Sequence, residues 1–405
     1  MTSQDSTRSG AEVAVVPLPG SVKADSFELP FRQFILKVHA RCNLSCTYCY
    51  VYHMADQTWR DRPFRMSSET VQQTACRISE HVDQYELQFV RVVLHGGEPL
   101  LAGADFLAEL AATIRAAVNP KCNIDFSLQT NGILLTPANL DVILRHNIGV
   151  GVSLDGIPAD HDRRRIYLDG RGSYQEVAKG LRVLASPPYR RLYRGILTTI
   201  DLDADPVETY RHLVDFAPPL VDLLLPHGNW SCPPPRRTPD EATPYADWLV
   251  AVFDQWYHAA SPRPRIRIFE EIIHLLLGGA SRAESVGLTP STLIVVETDG
   301  SLEQVDALKS AYDGAAATGL HVSRNPFGDA LRHPAIASRQ LGVAGLSKEC
   351  QKCPIVRICG GGYYPHRYRS GSGFNNPSVY CPDLKTLIAH ISRQMTADLA
   401  PLLSR

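Results

Sequence analysis

From residue 31 to residue 228 the chain alternates between two hydrophobic rhythms. Short apolar runs of strand length appear in FRQFILKVHA (31–40), FVRVVLHGG (89–97), NIDFSLQTN (123–131), IGVGVSLDG (148–156), LYRGILTTID (192–201) and LVDLLLPHG (220–228). Between them, SETVQQTACRISEHVDQY (68–85), ADFLAELAATIRAAVN (104–119), TPANLDVILRHN (136–147), SYQEVAKGLRVLA (173–185) and DPVETYRHLVDFA (205–217) repeat apolar residues at helical spacing. Ser67 or Ser68 is the expected N-cap of the first helix. Strands alternating with helices of this length predict parallel pairing through crossovers. Near-continuous apolar strands such as VRVVL and VDLLL predict a sheet buried on both faces. Six βα units fall short of an eight-stranded closed barrel. That leaves an α/β fold of either a partial (β/α)6 barrel or a doubly wound sheet, and both bind ligands at the carboxyl ends of the strands.

The unusual motifs sit at those ends. Three cysteines follow the first run, HGGEP the second, QTNG the third, SLDG the fourth and LPHG the sixth, which points to one site. A Pro-rich stretch, CPPPRRTPDEATP, closes the barrel segment (31–240). A helical bridge is expected over 241–286, short strands with a second cysteine group over 287–383, and an amphipathic helix over 384–405. Residues 1–30 read as a flexible leader.

Composition narrows the function classes. Forty-one basic against 42 acidic side chains give a net charge of −1, so neither a nucleic-acid field nor a polybasic membrane anchor is expected. No stretch is long and apolar enough to predict a membrane span, and no cleavable signal is apparent, so the cytoplasm is the expected compartment. Ten cysteines in a chain of this size predict metal binding or chemistry rather than a disulfide scaffold. Cys76, Cys122 and Cys232 are scattered and read as buried thiols.

Cys42, Cys46 and Cys49 have the spacing C-x3-C-x2-C, which shuffling this composition gives in roughly 0.6% of chains. A zinc site would need His39 or His53 as a fourth ligand. Three thiolates on one short loop suit an iron–sulfur cube with one iron left open. With Tyr48 before the last cysteine, the loop resembles that of the radical S-adenosylmethionine (SAM) superfamily. This resemblance implies the partial (β/α)6 TIM barrel, a 4Fe–4S cluster, and S-adenosyl-L-methionine cleaved to a 5′-deoxyadenosyl radical. It also implies an external one-electron donor of flavodoxin or ferredoxin type. Carried onto the other strand ends, it gives Gly96 and Gly97 for close backbone approach and Glu98 for the methionyl ammonium. Ser127, Gln129 and Asn131 then lie toward the ribose. Ser153 and Arg165 take the carboxylate, with Asp155 beside them and Arg163 and Arg164 as neighbours easily mistaken for Arg165.

ECQKCPIVRICGGG followed by Cys381 gives C-x2-C-x5-C-x21-C, a closed four-thiolate site for zinc or a second 4Fe–4S cluster. The spacing resembles that of SPASM domains in radical peptide maturases. Tyr363 and Val305 stand where such domains carry further cysteines, which implies a truncated SPASM domain holding one auxiliary cluster on Cys350, Cys353, Cys359 and Cys381. The same resemblance puts Asp306 at a general-base position.

FILKVHARCNLSCTYCYVYHMADQ, LLPHGNW and ETDGSLEQVDALK resemble the FxsB group of cyclophane-forming maturases, which act on ribosomally made precursor peptides. The implied reaction is a three-residue carbon–carbon crosslink between an aromatic ring and the β-carbon of a nearby residue. His227, Asn229 and Trp230 are candidates to line the peptide channel. Thioether or formylglycine formation, and a zinc-stapled scaffold without activity, are the competing expectations.

Overall fold

The structure is a computed structural model that describes residues 29–237, 242–260 and 262–403. The leader expected over 1–30 lies, apart from residues 29 and 30, outside the described residues, as do 238–241 of the Pro-rich stretch. A ten-stranded sheet runs in the order β10-β9-β8-β1-β2-β3-β4-β5-β6-β7. Its six expected strands are β1 (Gln33–His39), β2 (Phe89–Gly96), β3 (Asn123–Thr130), β4 (Ile148–Ser153), β5 (Tyr193–Thr199) and β6 (Leu220–Leu224), each parallel to the next. Helices connect them and their spatial order follows the chain with no reversal, so this is the partial (β/α)6 barrel rather than a doubly wound sheet. The first helix, Ser68–Gln84, is capped by Ser67, whose hydroxyl accepts from the Thr70 amide at 3.1 Å.

The sheet is not apolar on both faces. Phe34, Leu36, Val38, Val90, Val92, Leu94, Phe126 and Leu128 are buried at alternate positions, against the helices. The intervening positions carry Lys37, His95, Ser127, Gln129 and Ser153, with Gly149 and Gly151 between the longer side chains. A Cβ at Gly151 would stand 2.4 Å from Gln129 Oε1, so the glycine leaves room for its neighbour's amide. Six strands enclose a groove too open to fill with apolar side chains, and its wall is polar for that reason.

Both edges are extended. β7 (Arg265–Ile266) adds to β6, and β8 (Leu293–Val296) pairs in parallel with β1, aligning Phe34 with Ile294. β9 (Ser301–Glu303) and β10 (Ala317–His321) continue antiparallel. The segment carrying the second cysteine group thus covers what would otherwise be the bare edge of β1. The last helix, Cys381–Leu403, closes on the bridge: Asp383 Oδ1 accepts from the amides of Tyr245 and Ala246 (3.0 and 3.1 Å), capping the helix Pro244–Tyr257. Among the described residues no helix is long and apolar enough to cross a membrane.

The three scattered cysteines divide. Cys122 is buried, but Cys76 and Cys232 are exposed. Cys76 falls on the outer face of an amphipathic helix whose inner face is Ala75 and Ile78. Cys232 lies in a surface loop held by its backbone.

Candidate active site

The cysteine loop leaves β1 and is tied on both sides. Ser45 and Thr47 donate their amides to the carbonyls of Ile166 and Arg164 (2.7 and 2.9 Å). Gly97 and Glu98 donate theirs to the carbonyls of His39 and Arg41 (2.8 and 3.0 Å). A Cβ at Gly96 would meet the His39 oxygen at 2.3 Å, and one at Gly97 would meet Tyr52 Oη at 1.9 Å. Only glycine lets this turn pass so close to the loop. All ten cysteines are free of disulfides. Burial, then the nearby Glu98 carboxylate, pushes the Cys42 thiol up to about 12, and burial also raises Cys46 and Cys49. Three thiols raised in this way become thiolates when a cation shares the site. Of the two histidines considered as a fourth ligand, His39 Nδ1 lies against the Arg41 backbone (3.0 Å from its carbonyl oxygen, 3.2 Å from its amide) and His53 Nε2 pairs with Ser45 Oγ (2.9 Å).

Beside the loop stands a triad of two buried charges, Asp155 and Arg165, joined by the half-buried Tyr48. Arg165 Nη1 donates to the Tyr48 hydroxyl at 2.6 Å, and that hydroxyl donates to Asp155 Oδ2. Asp155 Oδ1 accepts from the Thr199 amide (2.9 Å). Burial raises the Asp155 carboxyl, with Arg165 pulling the other way. Arg165 Nε is buried and has no partner among the described residues. The neighbouring arginines are spent elsewhere: Arg163 on Asp160 and Asp201, Arg164 on Asp201 and Asp203. That separates Arg165 from the two residues it could be confused with.

Glu98 is fully buried, and burial raises its carboxyl. Oε1 accepts from the Leu100 amide (3.0 Å) and the Thr130 hydroxyl (2.8 Å), and Oε2 from the Asn131 amide (2.8 Å). One acceptor direction on Oε2 is left for a further donor. Gln129 Nε2 donates to Ser153 Oγ (3.1 Å), which leaves the Ser153 proton free to donate onward. Ser127 is half-buried on the same face. Asn131 differs from expectation. Its amide nitrogen goes to Asn43 Oδ1 (2.7 Å) and to Cys42 Sγ (3.7 Å), so its donors hold the cysteine loop instead of standing free for a ribose.

Asp306 opens a short 3-10 turn after β9 and is buried. Lys37 Nζ, from β1, donates to Oδ2 at 2.6 Å, while Oδ1 has no partner among the described residues. Burial alone would raise this carboxyl, but Lys37 and Lys309 outweigh it and hold it at about 2. Glu297, Glu303 and Asp306 bring carboxylate oxygens within 4.8 Å of one another, a spacing suited to a cation. The ammonium of Lys309 fills that role, 2.6 Å from Glu297 and 2.9 Å from Glu303. Neither lysine stood out in the sequence.

Of the three channel candidates, only His227 remains available. It packs against Tyr50 at 4.6 Å between ring centroids and against Tyr363 at 6.4 Å, with Nδ1 unpartnered and burial lowering its pKa to about 4. Asn229 is fully buried and serves the fold, donating to the Ser310 carbonyl (3.1 Å) and accepting from the Ser231 and Cys232 amides. Trp230 donates to the Pro377 carbonyl (2.8 Å) beneath Arg369.

Cys350, Cys353, Cys359 and Cys381 line one pocket with Ile355, Val356 and Pro377. Gly360, Gly361 and Gly362 all adopt positive φ (62°, 77° and 70°) and turn the chain sharply after Cys359. A Cβ at Gly360 would lie 1.7 Å from the Gly287 oxygen. Arg367 Nη2 donates to the Gly360 and Gly362 carbonyls (2.7 and 2.5 Å), closing the turn. Tyr363 is packed by His227 and His366.

Residues 36–215 match the family model of the Radical SAM superfamily. The chain is similar to the cysteine-type anaerobic sulfatase-maturating enzyme of Clostridium novyi (23% identity; 86% of this chain, 91% of that one). It is also similar to the serine-type enzyme of Bacteroides thetaiotaomicron (22%; 91% of each). Among solved structures it resembles native anSMEcpe with bound AdoMet (TM-score 0.77, 20% identity; 90% of this chain, 98% of that one). A weaker likeness is to Streptococcus suis SuiB bound to precursor peptide SuiA (TM-score 0.56, 12% identity; 87% of this chain, 76% of that one).

Proposed function

We propose that the chain is a radical SAM enzyme with a SPASM-type C-terminal region, and that it modifies a ribosomally made precursor peptide by joining an aromatic ring to the β-carbon of a nearby residue in a three-residue cyclophane; the family match over residues 36–215 and the fold shared with anSMEcpe support the first part. The observation that carries the cofactor part is the unpartnered, buried Nε of Arg165 beside a loop of three free thiols. A buried guanidinium nitrogen without an acceptor fits an anionic group such as the methionyl carboxylate. The donor sets fit as well: three cysteines in one loop and four around one pocket, none in a disulfide.

Cys42, Cys46 and Cys49 would hold the first 4Fe–4S cluster, and Cys350, Cys353, Cys359 and Cys381 the second. When bound, the first cluster and S-adenosylmethionine supply a carbon radical able to take a hydrogen atom, and the second cluster supplies a one-electron acceptor. Arg165 and the free proton of Ser153 would bind the carboxylate. The remaining acceptor direction of Glu98 would take the ammonium, and Ser127 and Gln129 would face the ribose. Tyr48 and Asp155 orient the guanidinium. Gly96 and Gly97 keep the Glu98 turn against the loop. An external one-electron donor completes the cycle.

Joining the ring requires loss of a hydrogen atom from the β-carbon, then of one electron and one proton from the ring. Asp306 is ionised and has a bare oxygen, so it is ready to receive that proton. A carboxylate held at about 2 takes protons only from a strong acid, which a ring that has lost its electron is.

Formylglycine formation is the second reading, favoured by the sulfatase-maturating relatives. Co-expression with a candidate precursor peptide separates the two. A crosslink gives a loss of about 2 Da, the mass of two hydrogens, with no backbone fragments between the joined residues and no reaction with a hydrazide. A hydrazide-reactive aldehyde in the product would replace the crosslink reading with the second.

A further inference from the structure

The segment that carries Asp155 and Arg165 is held at both ends by one histidine. The Asp155 amide donates to His161 Nδ1 at 3.2 Å. That bond needs the Nδ1 lone pair, so the ring proton sits on Nε2, which lies 3.0 Å from Ser173 Oγ. Nε2–H therefore donates to the serine hydroxyl, and the hydroxyl's own proton goes to the Arg165 carbonyl, 2.8 Å away. Polarity runs one way along this line, from the Asp155 amide to the Arg165 carbonyl. His161 and Ser173 are both 0% exposed, so no solvent reaches either to replace a lost bond. Burial, with Arg165 adding to it, holds the imidazole down at about 2, so the neutral tautomer that the line requires persists. On either side of Arg165, the carbonyls of Arg164 and Ile166 hold the cysteine loop through Thr47 and Ser45 (2.9 and 2.7 Å).

We infer that His161 and Ser173 are positioning residues, which fix the backbone of Asp155 and Arg165 so that the Arg165 guanidinium stands beside the cysteine loop with Nε free for an anionic cofactor group. The inference rests on the reading of Arg165 as a cofactor ligand. A histidine that served packing alone would need partners but not these partners. Here one bond ends on the backbone of a triad residue, and the other reaches a second triad residue through a single hydroxyl.

The test is S-adenosylmethionine affinity, read by titration calorimetry on the full chain reconstituted anaerobically with iron and sulfide. Ser173→Ala removes both hydrogen bonds of the hydroxyl, to His161 and to the Arg165 carbonyl, and should weaken binding on the order of tenfold or more. In an Arg165→Lys background the same change should matter less than twofold, because the two residues act as a unit. Ser173→Thr, which keeps the hydroxyl, should restore most of the affinity. His161→Leu should act like Ser173→Ala or more strongly; if it does not fold, the serine variants carry the test. Equal losses in both backgrounds would mean an independent, structural effect and overturn the inference, as would unchanged affinity in Ser173→Ala. If Arg165→Lys itself binds the cofactor like the parent, the assignment of Arg165 falls and takes the inference with it. That outcome differs from additivity, where Arg165→Lys weakens binding and only the coupling is missing.

Discussion

The two cysteine groups are built on different plans. The loop of Cys42, Cys46 and Cys49 has three thiols and is flanked by a polar triad whose guanidinium keeps one nitrogen unused. The pocket of Cys350, Cys353, Cys359 and Cys381 has four, is lined besides by Ile355, Val356 and Pro377 together with Glu349, Ser378 and Lys385, and is bordered by a three-glycine turn that Arg367 ties off. Every donor of the second group comes from one C-terminal stretch. The first group takes its surroundings from the ends of β1 to β5, and thus from most of the strands that build the groove. A site meant to admit a small molecule needs such convergence, whereas a closed site needs only a tight local turn.

The largest break between them should come from Cys42→Ala. It should abolish 5′-deoxyadenosine formation, by at least about a thousandfold, because no other residue can supply that corner. Cys353→Ala should instead leave measurable cofactor cleavage and lose peptide product, with iron falling from about eight to about four per chain. Chromatography of the nucleoside beside mass spectrometry of the peptide reads both.

Asp306→Asn should come next. It strands Lys37 without its partner and should cost about 3–5 kcal/mol in urea unfolding, with cofactor cleavage continuing and product falling. The pH dependence has a defined sign. The carboxyl is depressed in the folded chain from 3.8 to about 2, so its contribution to stability is complete above about pH 4 and is lost as pH falls through 2. Between pH 5 and 8 the Asp306 carboxyl should add no limb to the rate profile.

Gly97→Ala tests the backbone contact that presses the Glu98 turn against the first cysteine loop. A methyl group 1.9 Å from Tyr52 Oη forces a shift and should lower stability by about 1–3 kcal/mol, seen as a lower melting temperature. Cys76→Ser should do least. The thiol is exposed and belongs to neither group, so stability should move by less than about 0.5 kcal/mol and iron content should not change.

Much of the barrel was legible because its strands are short apolar runs between well-formed helices, and the cysteines declared themselves by spacing. Four features were not. The pairing of β8 with β1 joins residues far apart in sequence, and nothing local in LIVV marks its partner. The Lys37–Asp306 pair spans 269 positions, and a lysine inside a strand reads as an exposed one until the fold buries it. Asn229 and Asn131 resemble free polar groups at strand ends, yet both are spent holding backbone or loop, a matter of side-chain direction that spacing does not encode. His161 had a signal, its place in HDRRR. The helix Pro158–Arg164 that turns its ring between Asp155 and Ser173 was not anticipated.

The open coordination position proposed at Cys42, Cys46 and Cys49 is tested most directly in a chain whose second group is removed by Cys350→Ala, Cys353→Ala and Cys359→Ala together. Electron paramagnetic resonance of the reduced protein should show one 4Fe–4S signal that shifts when S-adenosylmethionine is added. A signal that stays unchanged at saturating cofactor, or a loop that binds zinc in place of iron, would contradict it.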